Sequence, residues 1–228
     1  MHRLPTTSWI ALIGLSLFAL MNIAGVDFIW AHILYQWQGG SWQLQHHWLT
    51  EQVLHHCVRS INQMVILVLL GAYLYRLFRV KNDLKTQALG VLILSLLACF
   101  LCISLLKRLI PMECPWDLQQ FGGLKPYIGL LQARPSAMPG TECFPAGHAS
   151  IGFAWISLYF YYQYVNPSYR ITALVAALCL GVGLGFVQQL RGAHFVSHDI
   201  ASALICWGIA AATFKSLGPH HFGVSGHE

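Results

Sequence analysis

Apolar residues fall into six runs, at roughly 9–30, 61–78, 88–106, 147–165, 171–190 and 199–216. Each is near the ~20 residues that a helix needs to cross a bilayer. Lipid offers no water to the backbone, so runs of this kind are helices. The first is long for the apolar core of a signal peptide, and no small-residue cleavage site clearly ends it. Between the first two runs, Leu44, Trp48, Leu49, Val53, Leu54, Cys57, Val58 and Ile61 recur at helical spacing. That pattern predicts an amphipathic helix lying on the membrane surface, with His46, His47, His55 and His56 on its wetter side. The expected fold is all-α: a polytopic bundle of six transmembrane helices plus this interfacial helix, forming one membrane-embedded domain over 1–228.

Composition agrees. The chain is 56% hydrophobic and 9% charged, against about 25% charged in soluble domains. With 228 residues, a bundle of several spans leaves no room for a second globular unit. The formal charge of +5 does not point to nucleic acid. The charges are few, most basic residues flank apolar runs, and no basic cluster is interleaved with aromatics. Cys99, Cys102, Cys179 and Cys206 lie inside apolar runs and read as small buried side chains.

Six spans place both termini on one side of the membrane. Arg3, Arg76, Arg79, Lys81, Lys85, Arg170 and Lys215 share that side, against Asp83 and Glu228. The other side has one Lys or Arg fewer: Arg59, Lys107, Arg108, Lys125, Arg134 and Arg191. The positive-inside tendency then makes the termini cytoplasmic. An integral protein of a bacterial inner membrane, with its other face periplasmic, is the expectation.

The unusual polar residues converge on that outer face. "LLKRLIPMECPWDL" leaves the third span, "CFPAGHAS" enters the fourth, and "QQLRGAHFVSHD" joins the fifth to the sixth. Singly, their charged residues read as interfacial. Together they deliver Lys107, His148, Arg191, His194 and His198 to one layer, and ionisable groups at bilayer depth usually mark a functional path. Lysine and arginine supply fixed positive charge, Gly147 lets a ligand approach the backbone, and a helix N-terminus favours an anion. That set describes a phosphate cradle. Two histidines can divide the remaining work, one attacking phosphorus and the other protonating the leaving oxygen. No cofactor or metal is required where cations neutralise the developing charge.

These residues resemble the type 2 phosphatidic acid phosphatase superfamily, with its motifs K-x6-R-P, P-S-G-H and S-R-x5-H-x3-D. The likeness covers roughly 60–215, including span order. Lys107 and Pro115 fit the first motif, with Cys114 in the arginine slot. Pro145 to His148 form the second, with Ala146 replacing serine. His194 takes the histidine slot of the third, with Gln188 in the arginine slot and His198 in the aspartate slot. The resemblance implies that His194 is the nucleophile, forming a phosphohistidine, that His148 is the acid, and that Lys107 holds phosphate oxygens.

The departures suggest physical substitutes. Arg191, one helical turn from Gln188, is expected to make the bidentate phosphate contact. His198, four residues after His194, is placed to orient it, although a neutral acceptor stabilises an imidazolium less than a carboxylate does. Asp199 is adjacent but points about 100° away on a helix. Ala146 forgoes one hydroxyl, worth about 1 kcal/mol. Cys114 and Cys143 both lie on the outer side, where oxidation is plausible; a disulfide between them would staple the loop from 107 to 146, and the sequence alone leaves that pairing open.

The leading expectation is thus a membrane phosphatase or phosphotransferase. Its partners are a lipid phosphate substrate and the surrounding membrane lipids. Two alternatives stand beside it. One is a zinc hydrolase using His194, His198 and His148, which lacks a glutamate inside H-x3-H. The other is a protein that binds or transports lipid phosphate without hydrolysis.

Overall fold

The structure is a computed structural model that describes residues 6–79, 83–130, 132–135, 138 and 140–219. Arg3, Lys81 and Glu228, which enter the charge comparison, lie outside them. The fold is helical, with two isolated bridges and no strand among the described residues. Helix α1 (Thr6–Ile23) is followed by α2 (Val26–Trp37), then a π-helical stretch (Leu49–Cys57) that runs directly into α3 (Val58–Arg79). After α4 (Leu84–Leu109) comes a long loop. The short α5 (Ala149–Phe153), a 3-10 turn (Ala154–Ile156) and α6 (Ser157–Val165) form one broken rod. Helices α7 (Arg170–Leu190) and α8 (Val196–Leu217) complete the chain.

Among the described residues, four helices are long and apolar enough to cross a membrane: Leu49–Arg79, Leu84–Leu109, Pro167–Leu190 and Val196–Leu217. A fifth span exists if the bent pair Leu12–Ile23 and Val26–Trp37 counts as one. The six spans plus an interfacial helix read from the sequence differ from these helices in three places. The run at 9–30 is broken by Gly25, whose φ of 68° turns the chain so that the two halves meet at 65°; glycine takes that left-handed conformation without steric cost. The run at 147–165 is interrupted by the 3-10 turn and is not among the helices that meet the length test. Finally, the stretch read as a surface helix is no separate element, because residues 49–57 extend α3.

The core lies where α4, α7 and α8 surround the broken rod. Leu92, Leu96 and Cys99 of α4 meet Phe153, Ile156, Cys206, Trp207 and Phe214. Gly152 and Gly181 allow the backbones of α5 and α7 to touch, since a Cβ on Gly152 would collide with the Gly181 backbone. Ser95 and Ser157 satisfy each other inside this packing, Oγ to Oγ at 2.8 Å. Helix α3, by contrast, buries no residue over Val58–Arg79. Apolar side chains such as Met64, Leu67 and Val68 stand exposed on it, which lipid accommodates at no cost. Cys99 and Cys102, spaced C-x-x-C, sit within α4 as free thiols.

One end of the bundle is finished by the 110–148 loop. Cys114 and Cys143 are joined in a disulfide, with Cα atoms 5.3 Å apart across a sequence separation of 29, which closes the question the sequence left open. Met112 and Thr141 pair beside it, the Met112 N–H donating to the Thr141 carbonyl at 2.9 Å. Buried Glu113 is neutralised by the two-pronged guanidinium of Arg134, at 2.6 and 2.9 Å. Asp27 of α2 accepts from the Ser197 N–H at 3.0 Å, so a carboxylate meets the N-terminus of α8, where the helix dipole favours it.

Closing a loop of this length removes about 3–4 kcal/mol of unfolded-state freedom in the chain-entropy picture. The Cys114→Ser/Cys143→Ser double variant is therefore expected to melt well below the wild type in detergent, and the wild type to lose the same increment on reduction. Melting curves with and without reductant check this; an unchanged transition would mean the loop is held by its other contacts alone.

Candidate active site

A cavity of about 770 Å³ opens at this end of the bundle. Lys107, Gly147, His148, Gln188 and His194 line it together, so five of the seven residues expected at the site meet in one space. His198 and Arg191 do not line it.

Three local structures bring these groups together. The first is the end of α7. Gly192, at φ 72°, lets the Gly192 N–H reach the Gln189 carbonyl and the Ala193 N–H reach the Gln188 carbonyl, both at 2.9 Å. That pair of bonds is a Schellman ending. It turns the chain back so that His194 faces the cavity, while Trp42 covers Gly192 so closely that a Cβ there would strike its ring. The second is the loop before α5. The Ala146 N–H donates to the His198 carbonyl at 3.2 Å, and the Ser202 hydroxyl donates to the carbonyls of Ala146 and His198 at 2.9 and 3.0 Å. The PAGH segment is thereby sewn to the first turn of α8. The third is the last turn of α4, where the Lys107 ammonium lies against Gly147: a Cβ on that glycine would be 3.6 Å from Nζ.

Each imidazole has a distinct setting. His148 holds the Leu54 carbonyl through Nε2 at 2.7 Å, and its ring lies 4.6 Å from that of His55. Burial is the main cause that pushes the His148 pKa down; the Leu54 carbonyl opposes it, and the charges of Arg191 and Arg59 add to it. His194 is pushed well below the ordinary imidazole value, chiefly by burial and next by the Lys107 charge. Its Nδ1 is buried without a hydrogen-bond partner. His198 is fully buried, with both ring nitrogens unpartnered and its ring edge-on to Phe144 and Phe195. The His194 and His198 centroids are 5.8 Å apart and no hydrogen bond joins them. Asp199 turns away, as its helical offset requires, and accepts from Gln189 at 2.6 Å.

Arg191 is occupied. Its Nε donates to the Gln45 carbonyl at 2.9 Å, one terminal nitrogen donates to Gln188 Oε1 at 3.1 Å, and the other faces Glu51 at 3.5 Å. It therefore braces Gln188 and the 45–51 segment from behind. Gln188 lies between Arg191 and the cavity; its Nε2 is a buried donor with no partner.

Sequence reasoning missed the wall contributed by α3 and the turn before it: His55, Arg59, Asn62, Gln63, Ile66 and Leu67. The spacing of Arg59, Asn62, Gln63 and Ile66 at i, i+3, i+4 and i+7 was a usable signal, since those positions share one helix face. One group of metal-ligand types exists among the described residues, Cys143, His194 and His198, whose ligand atoms lie within 4.8 Å of one another. The Cys143 sulfur is bonded to Cys114 and offers no thiolate. His148 is not part of the group, so the three histidines weighed as a zinc set do not form one.

A family model described as the PAP2 superfamily matches residues 88–221. No curated protein and no solved structure matches the chain.

Two buried histidines with depressed pKa values carry a signed prediction for stability. The unfolded chain takes up protons near the ordinary value of 6.5, whereas folded His148 and His194 resist until lower pH. Stability from these groups is thus fully present above about pH 7 and is lost as pH falls below 6.5. Thermal melts in detergent across pH 5 to 8 should show it, with a shallower acid limb in His194→Asn than in the wild type.

Proposed function

The chain belongs to the PAP2 superfamily, whose members are phosphatases, and on that premise we propose that it removes or transfers a phosphoryl group from a phosphorylated lipid through a phosphohistidine on His194. The observation that carries the lipid assignment is the gradient along the cavity. Its α4 wall runs from Lys107 and Arg108 through Ser104 and Ile103 to Phe100 and Leu97. That is ten residues from Lys107 to Leu97, about 15 Å of helix rise. The α3 wall matches it, from Arg59 and Asn62 to Ile66 and Leu67. A charged head at one end and a hydrocarbon chain along the apolar walls is the shape such a space accepts.

The chemistry follows from the donors available. Lys107 and the Gln188 amide N–H face the phosphate oxygens. A neutral His194 nitrogen attacks phosphorus, forming an N–P bond as the P–O bond to the lipid breaks. His148 protonates the departing oxygen. Because its Nε2 donates to the Leu54 carbonyl, the transferable proton is a second one, taken up at Nδ1 when a bound phosphate dianion favours the imidazolium. Water, activated by the same His148 nitrogen, then cleaves the N–P bond, and a hydroxyl acceptor in place of water gives transfer instead. His198 packs behind His194 rather than touching substrate. If the bent α1–α2 pair and the broken rod at 149–165 each cross once beside the four long helices, the number of crossings is even, and the bias of Lys and Arg among the loops then gives a cavity on the outer side of a bacterial inner membrane with both termini cytoplasmic.

A panel of lipid mono- and diphosphates, incubated with the full chain in detergent, tests this reading. His194→Ala should fall to background, and His148→Ala by about 10²–10⁴-fold, the usual worth of a positioned acid. Turnover should survive exhaustive chelation, and acid-labile, base-stable phosphate should be trapped on His194. Full activity in His194→Ala would remove the nucleophile assignment. Phosphate release from no lipid in the panel would favour a protein that binds lipid phosphate without cleaving it.

A further inference from the structure

We propose that Arg59 is the guanidinium that holds the transferring phosphoryl group in this site. The inference rests on the reading of the cavity as a phosphoryl-transfer site and adds a residue from outside the matched region, which begins at residue 88.

The need comes first. Phosphoryl transfer spreads negative charge over three equatorial oxygens, and its catalysis is mostly positioning and charge stabilisation. One ammonium cannot supply the flat, two-pronged contact that a guanidinium gives to a phosphate. Lys107 also has a carboxylate near it, Glu142, which lines the same cavity. Arg191 is spent on Gln45, Gln188 and Glu51, and Arg134 on Glu113. The cations left on the cavity wall are Arg59 and Arg108.

Geometry favours Arg59. Helices α3 and α4 are antiparallel neighbours, with Tyr73 packed on Gly90. Fourteen residues back along α3 from Tyr73 is Arg59, and fourteen forward along α4 from Gly90 is Ser104, one turn short of Lys107 and likewise on the cavity wall. Equal rises bring Arg59 to the level of the catalytic end from the opposite wall. Its charge lies close enough to act on both His55 and His148. Among the described residues it forms no salt bridge. Arg108 follows Lys107 on α4, so it approaches from the lysine's own side, whereas Arg59 closes the far side. The π-helical stretch before α3 fixes the approach, because the Leu54 carbonyl anchors His148 five residues upstream of Arg59.

The test is chemical rescue. Phosphate release from a lipid phosphate by the full chain in detergent is measured for wild type, Arg59→Ala, Arg59→Lys and Arg191→Ala, with and without added guanidinium ion. Arg59→Ala should lower kcat/KM by about 10²–10³-fold, the worth of one donor to a developing oxyanion. Guanidinium should restore at least about tenfold of it, and lysine only part, because it lacks the fork. Arg191→Ala should lower the melting temperature and show no rescue. Arg59→Ala within about threefold of wild type, or rescue confined to Arg191→Ala, would overturn the proposal. Thermal shift with orthovanadate, a mimic of the transferring group, reads the same residue without turnover. Stabilisation of the wild type that Arg59→Ala loses supports Arg59 even if no lipid phosphate is cleaved, an outcome that would sink the phosphatase reading alone. Equal stabilisation of both chains, or of neither, counts against Arg59.

Discussion

The cavity end of the bundle depends on one main-chain contact, the Ala146 N–H on the His198 carbonyl, with the Ser202 hydroxyl bonding both carbonyls beside it. It ties the chain two residues before one imidazole to the chain four residues after the other. Buried backbone groups must find partners, and lipid enforces this more strictly than water. Once that rule holds the loop to α8, the separation of His148 and His194 is set by short, stiff segments. The surrounding devices act on the same two segments: the Schellman turn at Gly192, the Asp27 carboxylate on the start of α8, and the disulfide at Cys143. The contact also explains why alanine is acceptable at position 146. The backbone of that residue does the tethering, and its side chain is fully buried against the core.

What could be read from sequence divides along range. Four apolar runs became helices with ends within about four residues of those expected, apart from the extension of α3 back through residues 49–57, because bilayer thickness and backbone satisfaction leave little choice. Lys107, His148, Gln188 and His194 were found from motif spacing and do share one cavity. The broken spans were harder. Gly25 and the 3-10 turn at Ala154–Ile156 interrupt apolar runs whose composition barely changes. Residues 49–57 carried a helical pattern, but a pattern states which residues share a face and not whether the helix continues into its neighbour.

Arg191 illustrates the limit best. One turn from Gln188, it was expected to stand beside that residue and face the same ligand. The two do meet, but as donor and acceptor, and the other partners are the Gln45 carbonyl, which accepts, and Glu51, which pairs by charge, about 140 residues away in sequence. Local spacing reports neighbours; it does not report who consumes whose hydrogen bonds. Arg59 was passed over for the converse reason. It precedes the motifs, and only the antiparallel packing of α3 on α4 carries it to them.

The electrostatics then become coherent. The cavity end gathers Lys107, Arg59 and Arg108 around one carboxylate, Glu142, beside two imidazoles that burial keeps neutral. Like charges gathered at one end of a cavity repel one another and favour an anion among them. A phosphate dianion reverses the local sign. It relieves the cations, and by the same field it raises the proton affinity of His148, whose depressed pKa owes part of its shift to Arg59 and Arg191. On the proposed chemistry, substrate binding and acid competence are therefore one event. His148 becomes able to protonate a leaving group when a phosphate is present to be cleaved, while burial and the neighbouring Lys107 charge favour the neutral form of His194 that a nucleophile needs.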